Sequence, residues 1–263
     1  SSSIGISEQV TLNVGVNAQV LTLNNSWALE PRAGIKWQFS PKSSFALAYG
    51  VHSRMEKMDV YFVKTQGTGD RSVNKDLGFT RAHHVMLSYG FKISDNMNMK
   101  IEPYFQQLYD VPVIADSSYS VLNRRDFYVE NALVNRGKGR NIGVDITLER
   151  YLNKGLYYMV TASIFDSKYY GGDRKWRNTL YNRNFIVNVL GGKEWMVGRD
   201  RQNMFSVNFK ITLQGGDRYA PVDEVATLLD PDREVQYDET KAFSKQFSPM
   251  FITNFSVGYK INR

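Results

Sequence analysis

His52 and His84 are the residues of this sequence best able to hold a transition metal or relay a proton, since imidazole is a common metal ligand and titrates near neutral pH. Each lies on the polar parity of an alternating run, and the two runs are joined by one long connection, so the pair could meet as cross-strand neighbours. His83 falls on the opposite parity. Nearby carboxylates could add ligands, but metal geometry needs a third one that the spacing does not assign. The preferred reading is therefore a pair of rim histidines hydrogen-bonded to neighbours, with no metal and no cofactor.

Positive charge gathers at Arg124, Arg125, Arg136, Lys138, Arg140, Arg174, Lys175, Arg177 and Arg183. Guanidinium groups bind phosphate and carboxylate through paired hydrogen bonds, so these residues could capture an anion. The competing reading is a solvated surface balanced by Asp116, Asp126, Glu130 and Asp173, the ordinary state of exposed loops. Asn208 and Lys210, with Asn13 and Asn17, offer hydrogen-bonding groups on the polar parity of their own runs. The long segment 215–249 mixes acidic and aromatic residues and could fold over such a surface or touch a ligand.

No catalytic template is present: Gly-x-Ser-x-Gly, a phosphate loop, a dinucleotide fingerprint and His-Glu-x-x-His are all missing. The chain has no cysteine, which removes disulfides, thiol catalysis and thiolate metal sites together. The net charge of +7 is spread among 26 acidic residues rather than concentrated, so nucleic acid is not an expected partner. The opening Ser-Ser-Ser-Ile-Gly has neither Met nor a signal-peptide apolar region and reads as the start of a processed or truncated piece.

The elements that must position these groups are strands. Phe205, Val207, Phe209, Ile211 and Leu213 alternate with Ser206, Asn208, Lys210 and Thr212, and Val10 to Val20 repeats the pattern, which gives each strand one apolar and one polar face. Similar runs at 35–39, 45–51, 85–93, 97–105, 142–148, 156–164, 185–197 and 251–261 make about ten strands. Pro103 inside a run predicts a bulge, and Lys193 on an apolar parity predicts a register change or a lysine reaching for an interface. Trp37, Trp195 and Tyr259 fall near strand ends on the apolar parity, where amphipathic rings suit a membrane boundary.

The connections discriminate between solvents. Four short ones, near 41, 95, 153 and 200, alternate with longer ones over roughly 23–30, 55–80, 110–138, 166–182 and 215–249, a sorting expected of a transmembrane β-barrel with tight turns on one side. No stretch approaches the roughly 18 apolar residues of a spanning helix. A mean hydropathy of −0.40 does not oppose a barrel, since polar lumen residues dilute each spanning strand. A soluble up-and-down barrel is the alternative, but its loops need not alternate and its outside is polar.

The stretch from Asn135 to Trp195, "NRGKGRNIGVDITLERYLNKG" onward, the C-terminal "YDETKAFSKQFSPMFITNFSVGYKINR" and "EPYFQQLYDVPV" at 102–113 resemble the end of TonB-dependent outer-membrane receptors of the Bacteroidetes type. The resemblance implies a twenty-two-stranded barrel filled by a plug domain and driven by the TonB energising complex. Nothing here matches a plug, an energy-coupling box or a leading regulatory-like domain, so residues 1–263 read as the C-terminal portion of the barrel. The expected work is energised uptake of a scarce nutrient across the Gram-negative outer membrane, without enzymatic activity. Asn208, Lys210, Arg124, Arg125, Arg177 and Arg183 are the candidate ligand contacts. Expected partners are outer-membrane lipid and lipopolysaccharide, the remaining strands and plug, and a surface lipoprotein. The rival is a closed ten-stranded outer-membrane hydrolase using His52, His84 and rim carboxylates.

Overall fold

Alternating side chains leave each strand's backbone free to pair on both edges, and the chain forms one antiparallel sheet. The structure, a computed structural model, describes residues 1–65, 72–124, 129–232 and 234–261. The sheet holds β1 (Ser2–Gly5), β2 (Val10–Leu21), β3 (Ser26–Ser40), β4 (Ser43–Arg54), β5 (Thr80–Ser94), β6 (Met97–Val113), β7 (Val134–Asn153) and β8 (Leu156–Tyr170). It continues through β10 (Phe185–Val197) and β11 (Asn203–Gln214) to β14 (Met250–Lys260), while the short β9 (Trp176–Asn178) pairs with the end of β8. A separate two-stranded sheet, β12 (Arg218–Tyr219) with β13 (Lys245–Gln246), lies in the last long loop, and two short helices, α1 (Met58–Tyr61) and α2 (Glu224–Leu229), occupy loops. The ten predicted strands are β2 to β8, β10, β11 and β14. Among the described residues no helix is long and apolar enough to cross a membrane.

Turn chemistry fixes the tight end. β3–β4, β5–β6 and β7–β8 are joined by Pro41-Lys42, Asp95-Asn96 and Lys154-Gly155. Lys154 and Gly155 both have positive φ, 51° and 75°, the combination that matches a two-residue turn to the twist of its strands. A Cβ on Gly155 would also lie 2.2 Å from the Glu194 carbonyl oxygen, so glycine is required there on two counts. At the opposite end, the expected long connection over 23–30 is instead a short turn at residues 22–25, with Leu29 and Glu30 inside β3. Glu30 stands opposite Asn17, and Pro31 fits the ladder opposite Val16.

Met86 pairs with Tyr104 and Tyr89 with Ile101, the same register on either side of Pro103, so no bulge forms there. Pro103 lies opposite Val144 and leaves the β7 ladder unbroken. The irregularity falls further along, between Leu108 and Pro112, where Asp110 has φ 56°. Lys193 keeps register with Leu156 and Val207, and its Nζ donates to the Lys154 carbonyl at 2.8 Å, so it reaches the turn rather than shifting the strand.

The two faces of the sheet differ in kind. On one, large apolar side chains have no covering layer: Val16, Val20, Trp27 and Phe255 are each 65–71% exposed. That face stands bare across all ten strands, far beyond the few hundred Å² that a water-facing surface tolerates. The buried hydrophobic cluster sits instead among the loops, where Val60, Tyr61, Leu77, Phe79, Val111, Val121 and Leu133 pack with Leu21 and Ala28 at the strand ends. Each fully buried side chain of this kind contributes about 1.5–3 kcal/mol. Asn74, 1% exposed, knits the layer by donating to the Asn131 carbonyl at 2.9 Å and accepting from the Leu133 N–H at 2.8 Å. The long loops are thus a folded cap over one end of the wall.

Candidate ligand-binding site

Strand register places the polar side chains in continuous rows. Gln106 and Ser167 both bond Asn141, at 2.7 and 2.6 Å, and Ser167 accepts from Thr179 at 2.9 Å. Lower on the same face Thr212 donates to Asn188 at 2.8 Å, and Tyr157 donates to Asn208 at 2.8 Å while Asn208 donates to Ser256 at 3.4 Å. Asn208 is therefore on the polar face as expected, but both ends of its amide are engaged by neighbouring strands. Lys210 is exposed on the same face, opposite Leu190 and Asn254.

Glu30 was not among the residues expected to matter. It is 4% exposed and accepts from Asn17 at 3.0 Å, Gln19 at 2.7 Å and the Ser53 N–H at 2.7 Å. An acceptor-only carboxylate answering three donors can be buried without cost beyond desolvation. His52 and His84 do meet on the polar face, with ring centroids 6.2 Å apart, and Tyr104 covers the far side of His84 at 6.4 Å. Among the described residues no group of three metal-ligating side chains forms there. His83 faces the other way, stacked on Tyr109 at 5.2 Å, with its Nδ1 bonded to the Tyr49 hydroxyl at 2.7 Å.

The arginines expected to seize an anion are largely occupied. Arg177, 9% exposed, grips both carboxylate oxygens of Asp173. That grip holds the Asp173 carboxyl below the usual carboxylate range, against the smaller opposing effect of burial. Arg183 donates to Asp217 at 2.6 Å and to Gln214 at 2.9 Å. Arg124 pairs with Asp59, whose carboxyl is opposed by burial yet lowered on balance by that guanidinium. Arg125 lies outside the described residues. These side chains fasten loop to strand and loop to loop.

Their fastening shapes a cleft of about 640 Å³ between the segments 118–124 and 218–247, lined by Tyr119, Tyr219, Tyr237, Phe243 and Phe247 with Arg124 at one side. Tyr219 and Phe247 stack at 4.4 Å. Arg218 also lines the cleft, its guanidinium engaged by the Asn182 carbonyl at 2.9 Å and Asn184 at 2.8 Å. With arginines already paired, the cleft presents ring faces, suited to flat, apolar or sugar-like groups. Segment 215–249 lines the cleft, and Tyr119 joins it from across the fold, which residue spacing does not disclose.

Neither a protein-family model nor a curated protein sequence matches the chain. Its fold matches solved outer-membrane receptors. The ferric-catecholate import receptor Fiu of E. coli K12 in its closed form superposes with a TM-score of 0.67 over 99% of this chain and 37% of that one, at 10% identity. FpvA of P. aeruginosa bound to heterologous pyoverdines gives 0.67 over 99% of this chain and 31% of that one, at 10% identity. The FrpB iron transporter of Neisseria meningitidis gives 0.61 over 98% and 37%, at 12% identity. The fold is that of an antiparallel transmembrane β-barrel wall. The chain spans about a third of the length of these structures.

Proposed function

We propose that residues 1–263 form the C-terminal part of the barrel of a TonB-dependent outer-membrane transporter of the Bacteroidetes type. The remaining strands, the plug and the energising complex that acts through it would complete the machine, and a surface lipoprotein would assist capture. The observation that carries this reading is the bare apolar face over ten strands, backed by a polar face whose side chains bond in rows. Lipid satisfies the first and a water-filled lumen the second.

The long loops then face outward, and the aromatic cleft beside Arg124 is the capture site for a scarce nutrient. Fiu is described as a ferric-catecholate import receptor and FrpB as an iron transporter, and FpvA is seen bound to an iron–pyoverdine complex; the ring-lined cleft fits a chelate with flat aromatic groups as well as a glycan. The reading is tested by deleting the full-length gene and measuring uptake of labelled chelates and glycans, with membrane fractionation in parallel. Loss of uptake of one ligand class is expected. A polypeptide that stays in aqueous solution without detergent, its Phe205 and Phe209 buried, overturns the proposal.

A further inference from the structure

On the apolar face of β7 the outward side chains run Arg140, Ile142, Val144, Ile146, Leu148, Arg150. The two arginines are ten residues apart, about 33 Å of strand and roughly 25 Å of height at a 40° tilt, which is the height of the apolar band of an outer-membrane barrel. Arg140 therefore marks the level where hydrocarbon ends on the loop side. Across the ladder it stands directly opposite Lys168, and two residues higher Lys138 stands opposite Tyr170, which pairs in turn with Trp176.

Like charges placed directly opposite on one face repel and destabilise the pair. Lys168 has Asp166 at 3.4 Å. Lys138 and Arg140 form no ion pair among the described residues; they lie over the rings of Tyr170 and Trp176, at 5.7 and 5.5 Å. Asp173, the other carboxylate nearby, is spent on the buried Arg177. The exposed Arg174 and Lys175 add charge just above.

We propose that this strip on the outer rim of β7, β8 and β9 binds the phosphorylated headgroup of an outer-leaflet glycolipid. A phosphate seated between Arg140 and Lys168 accepts charge-assisted hydrogen bonds from both and cancels their repulsion. Trp176 lies against the sugar ring beside it. The height of the strip commits the site to a lipid headgroup: a free anion in solution has no reason to sit at the edge of the apolar band. The inference rests on the outer-membrane reading above.

The test uses the full-length receptor purified in detergent, with native mass spectrometry counting retained lipid A-type glycolipid in its phosphorylated and dephosphorylated forms. Wild type is expected to retain the phosphorylated form about tenfold better, and Arg140→Gln with Lys168→Gln to abolish that preference. Arg140→Lys with Lys168→Arg should keep it, and Lys36→Gln with Lys210→Gln on the polar face should leave it unchanged. Equal retention of both forms by wild type overturns the proposal without any variant. Displacement of the glycolipid by equimolar inorganic phosphate overturns the lipid assignment. A receptor that needs detergent yet shows no phosphate preference sinks this inference alone, whereas one soluble without detergent sinks the transporter reading as well.

Discussion

Arg177 holds Asp173 through two parallel hydrogen bonds, Nη1 to Oδ1 at 2.9 Å and Nη2 to Oδ2, inside a loop that returns from β8 to β10. Arg177→Gln leaves a partly buried carboxylate short of its partner, and charged hydrogen bonds of this kind contribute about 1.5–3 kcal/mol each. Faster proteolysis and hydrogen exchange within residues 171–184 are expected, with the strands unchanged.

The same pair predicts an acid response. Asp173 is held below its ordinary value first by the Arg177 hydrogen bond. A carboxyl with a depressed folded value contributes stability that is fully present above its unfolded pKa of about 3.9 and is lost as pH falls through the folded value. The protection factors in 171–184, corrected for the intrinsic pH dependence of amide exchange, should be flat from pH 5 to 8 and fall only below about pH 4, and Asp173→Asn should remove that fall.

Val144 lies on the apolar face near the midpoint between Arg140 and Arg150, and Thr147 lies on the polar face of the same strand. Val144→Arg is expected to cost about 2–4 kcal/mol in denaturant titrations of the vesicle-inserted receptor, and Thr147→Arg far less. Equal costs would mean that the apolar face does not meet lipid.

Gly155 has φ 75° and no room for a Cβ beside the Glu194 carbonyl. Gly155→Ala should lower stability by about 1–3 kcal/mol and slow barrel assembly, read as a loss of heat-modifiable mobility on gels.

Tyr219 stacks on Phe247 in the aromatic cleft. Tyr219→Ala should weaken ligand capture about tenfold at the cell surface, consistent with about 0.5–1.5 kcal/mol per lost aromatic contact plus burial, while leaving the maximum uptake rate unchanged.

The wall was legible because its signal is local: Phe205 to Leu213 alternates whatever the rest of the chain does, and Lys154-Gly155 announces its turn. Expectation failed where a residue's meaning depends on a distant strand. Glu30 looks like the end of a connection until Asn17 and Gln19 on β2 supply the donors. Pro103 looks like a bulge until its register with Val144 is known. The candidate site was less readable still. Arg124 and Asp59 are remote in sequence, and Asn182, wholly buried, bonds Asp166, Asn178 and the Ser167 N–H from within a loop. Residue type advertised anion capture at Arg177 and Arg183, and only the folded loops show those charges already answered.

Connections of two to five residues at one end and segments of up to 35 residues at the other give the wall unequal freedom to vary. An insertion in the Pro41-Lys42 or Lys154-Gly155 reversal must alter strand pairing, while one between β11 and β14 need only find space above the rim. Length can therefore change at the long-loop end in steps of any size, while the tight-turn end keeps one gauge throughout.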